Sequence, residues 1–306
     1  MSKAMKKLAI TLIIILAGLF AVDRLGGAAM NWVSKKSKDV FSPKFQYILN
    51  NIHEDVVFLG ASRCHHHYVP SIIADSLGMS AYNSGFGSSD NIYSHYMVLS
   101  HILERYTPKM VCLEVMTSDY NVQEDPFSMI SFIAPLFGKS ERADSVFRLA
   151  GTYWRYKASH LYRYNFKASS NLWGLVLDRQ KGKNDNGYIL LDEPRQHPGK
   201  LAEEGRDNTI DPQKIEYLNR FVNLCRDNDI ELVFVVSPKY TRVGADQYAV
   251  LKSFAKEHSI PFLDYHTTGV YQDHPEYFQD TGHLWDKGAR LYSSLFAHDL
   301  KQLCFD

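Results

Sequence analysis

Two short segments of this chain together carry the three side-chain types of a nucleophilic catalyst. Ser62 stands in Gly60-Ala61-Ser62-Arg63, and near the other end of the chain Asp280 and His283 stand in Asp280-Thr281-Gly282-His283. Three residues of separation in a turn let a carboxylate reach the Nδ1–H of the same imidazole, whose Nε2 can then act as a base for a hydroxyl. The segments predict serine chemistry if the fold brings them together. The alternative is a turn in which the aspartate is solvated and the histidine flanks a helix.

The location of Ser62 suits a nucleophile. The residue closely follows the apolar run Val56–Leu59, so we expect it where a strand turns outward into a helix or a tight turn. Its backbone N–H can then donate to a developing oxyanion, and N–H groups at a helix start stabilise negative charge. A second turn, Tyr82–Asp90, is rich in glycine, which lets the backbone approach a substrate closely. The alternative is a strand-to-helix turn capped by Ser89 or Asp90, which needs no substrate.

The elements that position these residues form a repeating pattern. Short apolar runs without polar alternation are typical of strands that are covered on both faces. Such runs are Val56–Leu59, Met110–Val115, Leu232–Val236 and Pro261–Leu263. Stretches of helical period lie between them, so the sequence predicts a doubly wound, three-layer α/β fold with a parallel sheet. Ligands of such folds bind at the carboxyl ends of the strands.

Residues 117–205 interrupt this alternation. A compact domain does not leave so long a stretch without structure, so we expect an inserted, mostly helical subdomain. The insertion contains an aromatic and basic run that includes Tyr153, Trp154 and Arg155. Such residues suit a sugar or an anionic polymer, through ring stacking and charge pairing. The alternative is an amphipathic helix that packs on the core.

The first segment of the chain is a candidate membrane anchor. Lys3, Lys6 and Lys7 precede the apolar run Leu8–Val22, and basic residues before such a run keep that end in the cytoplasm. At about 1.5 Å per residue the run reaches roughly 23 Å, short of the roughly 30 Å hydrocarbon core, which suits a signal peptide. The small-residue stretch Gly26–Ala29 lies beyond two charges, however. We therefore favour an uncleaved single-pass anchor in the cytoplasmic membrane with the domain outside, and a cleaved leader with secretion is the alternative.

The chain is long enough for one large α/β domain. It has 306 residues, of which 45% are hydrophobic. We expect an anchor or signal segment at 1–33, a polar stalk and lead-in at 34–54, and an α/β domain at 55–306 that contains the insertion 117–205. Basic and acidic residues number 34 each, so no overall basic field directs the protein to nucleic acid.

The cysteines and histidines do not predict a metal site. The four cysteines lack CxxC spacing and are too few for a disulfide framework, although a single bridge stays open. The run His65-His66-His67 follows Cys64, but consecutive side chains cannot all converge on one ion from regular structure. We therefore expect neither a metal nor another cofactor.

The motifs resemble those of a known family, the SGNH or GDSL-like hydrolases, and especially their membrane-anchored branch that modifies cell-envelope polymers. The resemblance covers about residues 55–115 and 210–303. This branch is also similar to the alginate acetylation proteins and to the D-alanine transfer proteins of teichoic acid. The resemblance implies a flavodoxin-like, SGNH-type sheet and hydrolytic or acyl-transfer chemistry.

The resemblance also implies a role for each matching residue. Ser62 would be the nucleophile, His283 the base and Asp280 the residue that orients the base. The N–H of Ser62 and that of Gly87, or alternatively Gly85, would donate to the oxyanion.

One block departs from the family pattern. The family places an oxyanion-donating asparagine after the third strand, where this chain has Glu114-Val115-Met116-Thr117-Ser118-Asp119. Loss of one such donor typically costs roughly a hundredfold to a thousandfold in kcat. Thr117, Ser118 or an insertion residue can substitute, and Asn121 only if the loop folds back. Asp119 is a candidate supporting residue, although its charge and that of Glu114 would repel an oxyanion.

Two further residues have candidate supporting roles. Arg63 suits a phosphate or carboxylate on the substrate, or pairs with an acid near the sheet edge. Asn83 would tie the glycine-rich turn to the segment that carries Ser62.

Together these features predict a serine esterase or acyl-transfer enzyme that acts on O-acyl groups of an extracytoplasmic glycan or envelope polymer. Its partners would be that polymer, the membrane and, for transfer, a membrane protein that donates the acyl group. The alternative from another class is a non-catalytic polymer-binding or assembly protein that keeps the fold. Lipid or phosphodiester hydrolysis is a third option, because it needs only another leaving group.

Overall fold

The structure is a computed structural model that describes residues 1–87, 91–178, 184–205 and 209–305. Ser89 and Asp90, the alternative caps of the glycine-rich turn, lie outside these residues. The helices are α1 (Lys3–Lys36), α2 (Ser42–Asn50), α3 (Ser62–His67), α4 (Pro70–Leu77), α5 (Ile92–Ile102), α6 (Glu141–Leu149), α7 (Tyr153–Ala158), α8 (Ala168–Trp173), α9 (Pro212–Asp227), α10 (Ala249–Glu257) and α11 (Asp286–Phe305). The strands are β1 (Val56–Leu59), β2 (Ala81–Asn83), β3 (Met110–Glu114), β4 (Asn184–Asp185), β5 (Tyr188–Ile189), β6 (Ala202–Glu203), β7 (Glu231–Val236), β8 (Thr241–Arg242) and β9 (Phe262–Asp264).

Within the described ranges, five strands form one parallel sheet in the order β2-β1-β3-β7-β9. Successive side chains of a strand point to opposite faces, so each strand contributes to two cores. In β1, Val57 packs with α2, α5, α9 and α10, whereas Phe58 packs with α3, α4 and α11. The predicted three-layer α/β fold with a parallel sheet is confirmed.

The chain between β3 and α9 contains the short helices α6, α7 and α8 and two longer 3₁₀ segments, Ile130–Leu136 and Leu161–Tyr164. Its two-residue strands pair locally: β4 with β5, and β6 with β8 beyond β7. The insertion packs against both the domain and α1, through contacts such as the hydrogen bond from the hydroxyl of Tyr164 to Asn31 Oδ1 at 3.1 Å.

Helix α1 is long and apolar enough to cross a membrane or to act as a signal sequence, and its apolar run is exposed. The second half of α1 packs on the insertion. Asp23 accepts hydrogen bonds from the N–H groups of His160 at 2.9 Å and Leu161 at 3.2 Å. A Cβ atom on Gly27 would lie 2.5 Å from the Cβ of His160, so only glycine allows this close approach. Helix α1 is therefore joined to the folded domain by its charged and small residues.

Residues 34–54, the predicted stalk and lead-in, pack on the domain in this structure. Asp39 is buried and accepts a hydrogen bond from the N–H of Ser42 at 2.5 Å, which caps the start of α2. Helix α2 then buries Phe45 and Ile48 in the core. The lysines of this segment favour solvent when only the sequence is considered, but Lys44 is fully buried against Gly187 and His65.

Candidate active site

The structure brings Ser62, His283 and Asp280 into one hydrogen-bonded row. Ser62 Oγ lies 2.8 Å from Nε2 of His283. Nδ1 of the same ring lies 3.0 Å from both carboxylate oxygens of Asp280. These distances are within normal hydrogen-bond reach, and the order is that of a nucleophile, a base and an orienting acid.

A tight turn between β1 and α3 places Ser62 at the start of the helix. Gly60 adopts φ +154°, and a Cβ atom there would lie 2.7 Å from the Cβ atoms of both Cys64 and Glu114. Glycine is therefore required for the strand to turn here without a clash. Ser62 is the first residue of α3, and the opening N–H groups of a helix have no partner within it. They are candidate donors to an oxyanion formed at Ser62.

The turn before α11 holds the Asp280 carboxylate against the His283 imidazole. Asp280 Oδ1 also accepts hydrogen bonds from the N–H groups of Gly282 at 2.7 Å and His283 at 2.9 Å. Burial of Asp280 opposes its ionisation, but the hydrogen bond from the His283 ring and these two amides outweigh burial, so its pKa lies below the usual value. The carboxylate therefore keeps its charge to a lower pH than an ordinary aspartate.

We expect Asp280→Asn to lower kcat for an activated acetyl ester by roughly a hundredfold, with KM changed little. The amide keeps the shape but loses the charge that stabilises the imidazolium. We expect this loss of kcat to be at the low end of what loss of an orienting aspartate causes. The Asp280 side chain is 56% exposed, so water replaces part of its interaction with the imidazolium. Steady-state kinetics of the full chain measure this, with the exposed Asp273→Asn as control. An unchanged kcat would mean that Asp280 does not orient the base.

A buried acid, Glu114, ends strand β3. The carboxylate of Glu114 pairs with Arg63 at 3.2 Å and accepts hydrogen bonds from the N–H of Ser237 at 3.1 Å, its hydroxyl at 2.9 Å, and the hydroxyl of Tyr68. Burial raises the pKa of Glu114, against the effect of Arg63 and these donors. Burial alone would lower the pKa of Arg63, but Glu114 raises it above its usual value. Arg63 therefore pairs with an acid near the sheet edge, which is one of the two roles predicted for it.

His67 connects this acid to the loop of the base. The N–H of Leu284 donates to Nε2 of His67 at 3.0 Å, so Nδ1 carries the proton and donates to Ser237 Oγ at 2.8 Å. Burial lowers the pKa of His67 well below its usual value, so the ring stays neutral. Since the hydroxyl of Ser237 donates to Glu114, a continuous chain of hydrogen bonds runs from the end of β3 to the residue after His283.

His65 and His66 each bind a different backbone carbonyl. Nδ1 of His65 lies 3.0 Å from the carbonyl oxygen of Gly85, and Nδ1 of His66 lies 2.7 Å from that of Ile189. Across the described residues, no group of histidine, cysteine and acidic side chains is arranged to hold a metal ion.

Asn83 ties the glycine-rich turn to the helix after Ser62. Its Nδ2 donates to the carbonyl of Cys64 at 2.6 Å and to that of Tyr68 at 2.9 Å, and its Oδ1 accepts the N–H of Gly85 at 3.0 Å. The N–H of Gly85, the alternative oxyanion donor, is therefore engaged by Asn83 in this structure. Gly87 is half-buried at the end of the described turn, where an added Cβ would meet only Phe41 at 3.9 Å, and it stays the candidate.

Asp119 supports the loop after β3. It is fully buried, and its carboxylate accepts the N–H of Met116 at 2.7 Å, which closes the 3₁₀ turn Thr117–Asp119. Burial raises the pKa of Asp119 to about 7. The side chain does not line the described cleft beside Ser62, so it shapes the loop and does not face a substrate there.

The aromatic and basic run of the insertion lies elsewhere. Tyr153 packs against Phe137 and under Arg148, and Trp154 is 71% exposed. As far as the chain is described, neither these residues nor Arg155 line the cleft. The structure places them outside the cleft, so their binding to a sugar or anionic polymer stays a prediction.

The cleft beside Ser62 has a volume of about 230 Å³ and walls of mixed polarity. Its lining includes Thr117, Ser118 and the ion pair between Lys239 and Glu204. Within the described chain, Ser118 Oγ is buried without a hydrogen-bond partner. Sequence reasoning missed Glu204 and Lys239. Lys239 had a usable signal, because it follows the carboxyl end of β7, whereas Glu204 lies in the insertion with no motif around it.

The chain matches no model of a known protein family and no curated protein. A solved structure of an inferred acylhydrolase from Bacteroides fragilis is similar to it at 15% sequence identity, covering 86% of this chain and 96% of that one, with a TM-score of 0.45. A GDSL-like lipase from Bacteroides thetaiotaomicron is similar at 11% identity, covering 81% of this chain and 88% of the lipase, with a TM-score of 0.38. At such low scores these likenesses do not bear on what this chain does.

Proposed function

We propose that this chain is a membrane-anchored, outward-facing serine esterase or acyl-transfer enzyme that acts on O-acyl groups of an extracytoplasmic glycan or envelope polymer. The observation that carries the proposal is the row of Ser62, His283 and Asp280, with 2.8 Å and 3.0 Å between successive groups. These residues come from opposite ends of the chain. A serine is activated when an imidazole accepts its proton and a carboxylate orients that imidazole.

The chemistry follows from the geometry. Ser62 Oγ attacks the ester carbonyl while Nε2 of His283 takes its proton. The tetrahedral intermediate then collapses, the ester C–O bond breaks, and the leaving alcohol takes the proton from His283. Water or an acceptor hydroxyl next attacks the acyl-serine with His283 again as base, which releases the acid or the new ester and restores Ser62.

The oxyanion needs donors in place of the missing asparagine. We propose the N–H of Ser62, that of Gly87, and the hydroxyl of Ser118. Ser118 lines the same cleft as Ser62, and within the described chain its buried Oγ has no hydrogen-bond partner. A rotatable hydroxyl is less preorganised than a backbone amide, which suits a slow or specialised enzyme.

The size of the cleft and the charged groups that line it favour a short acyl group on a polar alcohol. About 230 Å³ bordered by Lys239, Glu204 and Thr117 accommodates an acetyl group and part of a sugar ring, and it is too small to enclose a long alkyl chain. The apolar run of α1 supports a location at the outer face of the cytoplasmic membrane, where a membrane partner can donate the acyl group.

A comparison of acyl chain lengths tests this substrate class. The full chain in a neutral detergent should hydrolyse an activated acetyl ester with a kcat/KM roughly tenfold or more above that of the decanoyl ester. It should also release acetate from an O-acetylated glycan, and Ser62→Ala should release none. The full chain is used because residues 23–36 of α1 pack on the insertion. A preference for the decanoyl ester would point to lipid hydrolysis instead.

A non-catalytic polymer-binding or assembly role is the second candidate. Two observations favour this role: the third block lacks the asparagine of the family pattern, and the N–H of Gly85 already donates to Asn83. For such a protein, Ser62→Ala would leave glycan affinity unchanged and neither ester would be turned over. Turnover by the native chain that disappears in Ser62→Ala excludes this role as its sole function.

A further inference from the structure

The second half of α1 and the insertion enclose a second cavity, of about 240 Å³. Four cationic side chains line it: Arg24 and Lys35 from α1, and Lys139 and Arg163 from the insertion. Among the described residues, no aspartate or glutamate lines this cavity. A hollow surrounded by cations without acids among its lining residues suits an anionic ligand.

The nearby acids are used elsewhere. Asp23 makes a 3.5 Å contact with Arg24, but its carboxylate is held by the N–H groups at the end of α7 and by Ser159. Asp144 accepts the N–H of Gly138 at 2.9 Å. The two arginines are bound mainly to neutral carbonyls: Arg24 to that of Ala158 at 3.2 Å, and Arg163 to that of Tyr156 at 3.0 Å. Positive charge in the cavity therefore exceeds negative charge.

The walls suit a phosphate group. Two guanidinium groups offer planar sets of donors that match phosphate oxygens, and two ammonium groups add point charges. Asn31 and Gln46 supply neutral polar groups, while Gly27 and Phe137 make part of the wall apolar. An apolar wall strengthens the attraction between the cations and an anion because it lowers the local dielectric.

The location selects the kind of phosphate. Arg24 lies two residues beyond Val22, the end of the apolar run, which is only about 3 Å along the helix axis. If the run of roughly 23 Å crosses a hydrocarbon core of roughly 30 Å, this rim of the cavity lies at the level of the lipid headgroups. Cationic side chains at that level attract acidic lipid headgroups within about a Debye length.

We propose that this cavity binds the phosphate of an anionic membrane lipid, the same chemistry that a soluble phosphate ester would offer. The site lies apart from Ser62 and does not depend on catalysis. A bound headgroup would bridge α1 and the insertion, and so fix the orientation of the domain relative to the membrane.

The test compares two charge-matched double variants of the full chain in a neutral detergent. Lys35→Gln with Lys139→Gln removes two exposed cations of the cavity, and Lys36→Gln with Lys256→Gln removes two exposed lysines outside it. Native mass spectrometry measures the apparent Kd for phosphatidylglycerol, with phosphatidylcholine and soluble glycerol phosphate as the other ligands. The midpoint of urea unfolding verifies that both variants are folded.

We expect the cavity variant to bind phosphatidylglycerol roughly tenfold more weakly than the native chain, and the control to bind like the native chain. Tighter binding of the lipid than of glycerol phosphate supports the membrane source, and equal binding supports a soluble phosphate ester. An equal loss of phosphatidylglycerol affinity in both variants, or no loss of affinity in the cavity variant, would contradict the proposed lipid site.

Discussion

Ser62→Ala should lower kcat for an activated acetyl ester by roughly 10⁴-fold or more, to the rate that binding and the remaining donors sustain without a nucleophile. The reason is that Ser62 Oγ is the only atom of the hydrogen-bonded row that can form the acyl intermediate, and Nε2 of His283, at 2.8 Å, has no other hydroxyl within the row. The stability of the protein should change little, because the hydroxyl lies at the surface of the cleft.

Ser294→Ala is a matched control, since it removes an exposed serine hydroxyl from α11 that is bonded only to the carbonyl of Arg290. Its kcat should equal that of the native chain. If Ser62→Ala retains turnover within a few-fold of the native chain while both remain folded, Ser62 is not the nucleophile.

Glu114→Ala should lower the free energy of unfolding by about 3 to 5 kcal/mol. The substitution leaves the guanidinium of Arg63 buried without its acid and removes the acceptor of the Ser237 amide and hydroxyl. Urea unfolding of the full chain measures the change, and Glu231→Ala, an exposed acid at the start of β7, is the control.

A second variant separates charge from packing at this site. Replacing both Glu114 and Arg63 by methionine removes the unpaired charge and keeps much of the volume, so it should recover part of the lost stability. A Glu114→Ala variant as stable as the control would show that the pair does not hold β3, α3 and β7 together.

The place of Ser62 could be predicted because the apolar run of β1 puts it at the edge where the parallel strands end. The Asp280–His283 spacing likewise predicted the carboxylate against its own imidazole. His283 does not directly follow a strand of the sheet, so its meeting with Ser62 was an expectation from the family resemblance. Lys239 could have been predicted at this edge in the same way, since it follows the carboxyl end of β7.

The other site residues depend on tertiary contacts that no local pattern reveals. Whether the N–H of Gly85 is available depends on Asn83, and whether Glu114 repels an oxyanion depends on Arg63 and Ser237. The burial of Lys44 in the predicted stalk likewise depends on carbonyl groups distant in sequence. The aromatic residues of α7 have the composition of a binding surface, but the packing of the insertion places them away from the cleft.

The most direct test of the account is covalent labelling of the native full chain with a fluorophosphonate, followed by peptide mass mapping. A fluorophosphonate reacts with a serine whose proton a neighbouring base removes, and fluoride leaves. We expect a phosphonyl adduct on Ser62 that forms at least roughly a hundredfold more slowly in His283→Ala. The exposed His298→Ala should label like the native chain. Absence of the adduct from Ser62, or equal labelling rates in His283→Ala and the native chain, would contradict it.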